Sequence, residues 1–398
     1  MKYIVLVPDG MADEPIAQLG DKTPMEAAYT PNMDFMAQNG LSAMVQTIPQ
    51  GMSPGSDIGN LALMGYDPKA DFSGRAPLEA ASMGITLTQD EVAFRCNLIT
   101  EKNGVMADYS AGHITSDEAK LLIEYFQRAI DLPDVRFYAG KSYRHLMVFK
   151  TNHVEQMLKV KTVPPHDILN QSLKSYLPNG PHSDILLSLM EKSRGVLSGH
   201  QVNKFRVDAG DNPANMIWLW GQGSRPHLPL FKDRYHLSGS VISAVDLVNG
   251  IGSLVGLDVI HVPGANGYYD TNYKGKADHA LESLKKHDFV YVHVEAPDEA
   301  GHNGDAKAKL ECVERFDRLV VGTVREYLKS HHQVRVLIAP DHPTPVAKRT
   351  HTSDPVPFVM YGEGFEPNGA KVYSEKEAAS KGLKFHSGTE MIKFFFKK

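Results

Sequence analysis

Three short runs of apolar, largely β-branched residues, Tyr3–Val7, Phe289–Val294 and Val334–Ala339, constrain this chain most. They are near-continuous, not alternating, and so read as strands buried on both faces, as in a parallel sheet. Between the last two, Leu310, Val313, Phe316, Val320, Val324 and Leu328 recur at three-to-four spacing. Residues 310–328 therefore read as an amphipathic helix. Strand, helix and strand make a crossover unit, expected to be right-handed. Thr23–Asn39 reads as another helix, broken at Thr30-Pro31. Met216–Trp220 and Asp258–Val262 read as further core strands. The expected fold class is α/β with a mostly parallel sheet.

The middle of the chain differs. Arg136–Tyr138 and His145–Lys150 are shorter and more alternating, and a helix is expected over Ser116–Ile130. This region reads as a smaller α+β domain, residues 77–181, inserted into a discontinuous core of residues 1–76 and 182–398. A length of 398 residues suits two or three domains. A net charge of −5 argues against a general nucleic-acid or anionic-membrane binder. Cys96 and Cys312 are too few for a disulfide framework and read as buried reduced thiols. Only five apolar residues precede Pro8-Asp9-Gly10, and no stretch nears the roughly 18 of a membrane span. The expected location is cytoplasmic.

The chemistry-bearing residues follow the three strands. Each leads into a Pro-Asp pair: Pro8-Asp9, Pro297-Asp298 and Pro340-Asp341. Parallel strands end on one edge, where open α/β folds build their sites. Asp9, Asp298 and Asp341 should thus share a rim. Histidines accompany two of them: His302 lies four residues beyond Asp298 across a glycine-containing turn, and His342 adjoins Asp341. His351 sits in the loop just beyond. Carboxylates with imidazoles suit Mn2+ or Zn2+, whereas an all-oxygen set suits Mg2+ or Ca2+. The alternative, separately satisfied caps and core histidines, is hard to reconcile with six such residues at matching strand ends. Ser56 opens a helix after the Gly- and Pro-rich stretch Gly51–Gly55. It reads either as an N-cap or as a nucleophile whose hydroxyl a divalent ion activates.

Other signals carry less. Gly140-Lys-Ser142 lacks the earlier glycine of a phosphate loop, which falls at Val135. Gly250–Gly256 has one residue too many for a dinucleotide fingerprint and reads as close helix packing. Phe394–Phe396 reads as a terminal helix docking its aromatic face, His331-His332 as a solvated helix end, and Trp218 and Trp220 as core and cleft wall.

Five segments together resemble one family: Val7–Asp13, Ser56–Asn60, Ala296–His302, Asp341–Thr344 and His351–Pro357. They are similar to the archaeal-type 2,3-bisphosphoglycerate-independent phosphoglycerate mutases of the alkaline phosphatase superfamily. The resemblance spans nearly the whole chain and implies an alkaline-phosphatase-like core with a capping insert. It implies two metal seats, one of Asp9, Ser56, Asp341 and His342, the other of Asp298, His302 and His351. The ions implied are Mn2+ first, with Zn2+, Co2+ or Mg2+ as alternatives, and no 2,3-bisphosphoglycerate. Ser56 would become a phosphoserine and return the phosphoryl group to the neighbouring hydroxyl of the same glycerate. That interconverts 2-phosphoglycerate and 3-phosphoglycerate, with the insert keeping water out.

Arg144, Lys276, Arg95 and His113 are the candidate anchors for the substrate's anionic groups. The expected partner is a small phosphorylated substrate, with no nucleic acid or membrane, and the chain a monomer or homo-oligomer. One departure matters: Asp108–Ile114 lacks the arginines this family's pattern would place there. It keeps open a homoserine kinase of the same fold with ATP as donor. A phosphomonoester hydrolase is the third reading.

Overall fold

The computed structural model describes residues 1–397, which divide into two compact units. One comprises Met1–Phe72 and the chain from His227 onward; the other is Ser73–Pro226.

Strands are numbered in chain order. The first unit holds β1 (Lys2–Pro8), β2 (Leu41–Val45), β8 (Gly239–Ile242), β9 (Asp258–Val259), β10 (Phe289–Val294), β11 (Val334–Ile338), β12 (Val356–Gly362) and β13 (Lys384–Phe385). Among the described residues they form one eight-stranded sheet in the order β13-β2-β12-β11-β1-β10-β8-β9. From β11 through β9 every pairing is parallel; β12 runs antiparallel to both its neighbours. Ile4, Val5, Leu6 and Val7 are wholly buried, as their unbroken apolar run requires between two parallel neighbours. Val5 faces Tyr291 on β10 and Leu337 on β11, so β1 sits at the centre.

The helix expected over 310–328 is present in three parts: Ala306–Phe316, a π-helical turn at Asp317–Val321, and Gly322–Leu328. Such π turns often have a local purpose. Here the buried Asp317 carboxylate accepts the backbone N–H groups of Asn32 (3.1 Å) and Met33 (2.7 Å). It thereby supplies the N-terminal cap that Thr30 does not give the helix Pro31–Gln38. The terminal helix Gly388–Phe396 docks its aromatics as expected, Phe395 and Phe396 meeting the Tyr3 ring edge-on.

The second unit holds β3 (Glu91–Lys102), β4 (Val105–Asp108), β5 (Val135–Tyr138), β6 (Arg144–Lys150) and β7 (Met216–Ser224). β3 pairs antiparallel with β4, β6 and β7. This unit is larger than the insert read from sequence, since residues 182–226 belong to it. Met216–Trp220 is accordingly not a strand of the parallel sheet. It lies in β7, paired with β3 in a register that includes Cys96↔Leu219 and Leu98↔Ile217. An apolar run reports burial, not its partner, and here the partner is β3. The helix Asp184–Leu197 packs Leu186, Leu189, Met190 and Leu197 into the same core as Trp218 and Trp220. Cys96 and Cys312 are buried free thiols. No helix among the described residues is long and apolar enough to cross a membrane.

Candidate active site

Asp9, Asp298 and Asp341 follow β1, β10 and β11, and all three are buried at the C-terminal rim of the parallel sheet. The loops meet closely there. Gly10 has φ +60°, and a Cβ on it would collide with the Asp298 carboxylate and lie 2.6 Å from Thr344 Oγ1. Its N–H donates to Asp341 Oδ1 at 3.2 Å. Only glycine offers both that backbone conformation and that clearance.

Asp298 and His302 do not flank a turn. They lie on the helix Ala296–Asn303, where spacing of four puts both on one face, His302 Nε2 3.2 Å from Asp298 Oδ2. Pro297 in its first turn and the left-handed Gly304 after its last (φ +69°) account for the helix the turn signals obscured.

Ser56 begins the helix Ser56–Leu63. It makes no side-chain cap bond at that helix start, which is preceded by Gly55, so the N-cap reading fails. Its hydroxyl lies 3.4 Å from Asp9 Oδ2 and 3.2 Å from His342 Nε2. One turn on, Asn60 donates to the Ser56 carbonyl (2.9 Å) and to Asp341 Oδ2 (2.7 Å), and accepts the Tyr291 hydroxyl (2.7 Å). Gly59 lets this helix come close: a Cβ there would sit 2.5 Å from the Asp341 carbonyl oxygen.

Two groups of ligand-type atoms result, each within 4.8 Å: Asp9, His293 and Asp341, and Asp298, His342 and His351. His342 stands between them, with Nε2 3.5 Å from both Asp9 Oδ1 and Asp341 Oδ2. His302 joins the second group, its Nε2 2.9 Å from His351 Nε2. The four imidazoles share one orientation. Each Nδ1 faces an oxygen: Arg349 O for His302 (3.1 Å), Pro54 O for His351 (3.4 Å), Thr344 Oγ1 for His342 (3.3 Å) and Ser243 Oγ for His293 (3.2 Å). Each Nε2 is left for the site, the pattern of metal-binding histidines steered from behind. Thr344 Oγ1 also donates to Asp298.

Burial, and then the charges of Asp341 and Asp298, push Asp9 well above the usual carboxylate range. Burial would raise Asp298 too, but hydrogen bonds from His302 and His351 hold it well below that range. Burial lowers His342, and lowers His293 to about 4. His302 is raised to about 9, first by its hydrogen bond to Asp298. Because its folded value exceeds the ordinary 6.5, its contribution to stability is complete below pH 6.5 and lost as pH rises through about 9. Melting chelator-treated wild-type and His302→Gln proteins side by side should show the widest gap below pH 6.5, while Asp298 stays ionised. The gap should close by about pH 9.

Lys276 is wholly buried on the helix Tyr273–Ser283, and its Nζ donates to the His293 carbonyl at 2.9 Å. It is a support beneath the rim and not a solvated ammonium. Arg95, His113 and Arg144 belong to the second unit. Arg95 is buried, paired with Glu79 (2.9 Å) and stacked over Trp220 (4.0 Å). His113 and Arg144 are exposed. His293 is a further imidazole of this rim, and its signal in the sequence is that it stands alone in the apolar strand Phe289–Val294.

A serine hydroxyl set among buried carboxylates and imidazoles lies on the rim of a parallel sheet, so the class is an α/β protein with a donor set of metal-ligand type. Comparison with known proteins narrows it. The family model for 2,3-bisphosphoglycerate-independent phosphoglycerate mutase matches residues 37–203. The protein of that name from Methanosarcina acetivorans is 48% identical over 394 residues, 98% of each chain. A Pyrococcus horikoshii protein of solved structure is 30% identical with a TM-score of 0.84, over 99% of this chain and 96% of that one. The cofactor-independent phosphoglycerate mutase of Thermoplasma acidophilum is 27% identical with a TM-score of 0.70, over 99% of both. The chain belongs to the 2,3-bisphosphoglycerate-independent phosphoglycerate mutase family.

Proposed function

We propose that the protein interconverts 2-phosphoglycerate and 3-phosphoglycerate without 2,3-bisphosphoglycerate, through a phosphoserine at Ser56. The observation that carries this reading is the Ser56 hydroxyl, 3.4 Å from Asp9 and 3.2 Å from His342 in a chain of this family.

The donor set fits divalent cations, with Mn2+ our first assignment. Carboxylates and imidazoles meet in two groups, and the buried Asp9 Oδ1 and His293 Nε2 have no hydrogen-bond partner. Asp9, Asp341 and His342 would hold one ion beside Ser56; Asp298, His302 and His351 would hold the other. Bound cations would supply positive charge to the Ser56 oxygen and to the phosphoryl oxygens.

The chain's own residues do the rest. Asp9 Oδ2 and His342 Nε2 are the two groups in reach of the Ser56 proton. As the Ser56 Oγ–P bond forms, the bond from phosphorus to the glycerate oxygen breaks, and that oxygen takes a proton. The glycerate's other hydroxyl then loses its proton and bonds to the phosphorus, the Ser56 Oγ–P bond breaks, and Ser56 Oγ takes a proton back. Asn60, tying the Ser56 turn to Asp341, holds the nucleophile in register with the rim. The exposed Arg144 and His113 are our candidates for binding the substrate's anionic groups.

The test supplies 3-phosphoglycerate and Mn2+, without 2,3-bisphosphoglycerate, and couples product to enolase. Formation of 2-phosphoglycerate is expected. Release of free phosphate instead would mark a hydrolase. Phosphohomoserine made from ATP and homoserine, with no mutase activity, would mark a kinase.

A further inference from the structure

We infer that His293 is a direct ligand of the cation seat formed by Asp9 and Asp341. The inference rests on the reading that the rim holds two cations, and it adds to the metal-binding residues a histidine that lies outside all the family-like segments.

His293 is wholly buried near the end of β10, level with Val7 on β1, in a strand otherwise apolar. A polar atom enclosed without a partner is costly, so its two ring nitrogens must both be accounted for. Nδ1 lies 3.2 Å from Ser243 Oγ, which also accepts the Val245 N–H at 3.0 Å. Nε2 has no hydrogen-bond partner. It lies 2.9 Å from Asp9 Oδ2, but the two are not aligned as donor and acceptor. Asp9 Oδ1 is equally buried and equally without a partner.

Two buried residues that each carry an unpartnered atom, one on β10 and one just after its neighbour β1, thus join the Asp341 carboxylate in a set whose ligand atoms lie within 4.8 Å of one another. A cation there would give both residues a partner at once. Ser243 behind the ring and Lys276 on the His293 carbonyl (2.9 Å) hold the imidazole in that direction. The two seats then differ. The Asp9–Asp341–His293 seat is enclosed by buried ligands, whereas the Asp298 seat includes the partly exposed His302 and His351. The enclosed seat should fill first, and the other should keep positions open for substrate.

The test titrates metal-free full-length protein with Mn2+ by calorimetry, counts retained ions after dialysis, and records pulsed EPR at one equivalent. The wild type is expected to bind two ions with distinct affinities, the tighter showing imidazole nitrogen coupling. His293→Gln should weaken the tighter seat by about 100-fold or more and reduce that coupling, leaving the weaker seat unchanged. Ser243→Ala, which only frees the ring, should weaken the tighter seat by about 10-fold, and it serves if His293→Gln fails to fold. Unchanged tight-seat affinity in either variant, with two ions still bound, overturns the assignment of His293 while leaving the two-cation reading intact. A wild-type protein that binds no Mn2+ overturns both.

Discussion

Ser56→Ala protein is expected to fold normally and to lose mutase turnover by a factor on the order of 10^4 or more. The size follows from the role: without the hydroxyl there is no acceptor for the phosphoryl group, and no neighbour replaces it. Asp9 and His342 reach the Ser56 oxygen at 3.4 and 3.2 Å but themselves belong to the cation-holding set. Folding should survive because Ser56 Oγ makes no helix-capping bond, and Asn60 still ties the backbone at residue 56 to Asp341. The discriminating measurement pairs turnover with Mn2+ stoichiometry and thermal melting. Loss of turnover with the Asp298 seat still filling identifies a lost nucleophile. Retention of more than a few per cent of wild-type turnover would remove Ser56 from the chemistry.

Lys309→Met is expected to lower the stability of the first unit by about 3–5 kcal/mol, the cost of stranding one half of a buried ion pair. Lys309 is wholly buried on the helix Ala306–Phe316. Its ammonium donates to Asp13 Oδ2 (2.7 Å) and to the carbonyls of Thr344 (2.8 Å) and Ala12 (3.3 Å). The Asp13 carboxylate accepts the Val346 N–H at 3.1 Å, and the Asp13 N–H donates to Glu375 Oε1 at 3.1 Å. One cation therefore pins the loop after β1 to the loop after β11, whose Thr344 steadies Asp298 and His342. Removing it leaves a buried carboxylate and two buried carbonyls short of a donor. Total stabilities run to about 5–15 kcal/mol, so this loss is large. Denaturant unfolding followed in the first unit measures it. The double variant Lys309→Met/Asp13→Leu should recover part of the loss, because it removes the stranded charge. A single variant within about 1 kcal/mol of wild type would show that the pair contributes little.

The fold and the site were legible in the sequence where burial left a pattern. Tyr3–Val7 and Phe289–Val294 could be read because strands covered on both faces cannot alternate, and the Pro-Asp pairs beyond them marked a common rim. Asp298 and His302 could be read from their spacing, although the helix beneath them was hidden by Pro297 and the glycines. What the sequence could not show is partnership. Met216–Trp220 is as apolar as a core strand, and only its pairing with β3 assigns it to the second unit. Lys276, in the polar stretch Tyr273–Lys276, reads from sequence as a candidate anchor, whereas the structure buries it against a carbonyl. His293 draws no reading from sequence because its neighbours Asp9 and Asp341 come from far along the chain.

In the proposed reaction Ser56 carries the phosphoryl group between the two positions of one glycerate. Acid quenching of Mn2+-loaded protein during turnover of 3-phosphoglycerate, followed by mass spectrometry of its peptides, tests this directly. A phosphate on Ser56 that disappears when substrate is removed is the expected result. Phosphate on a different residue, or turnover with no phosphorylated peptide at any quench time, would contradict it.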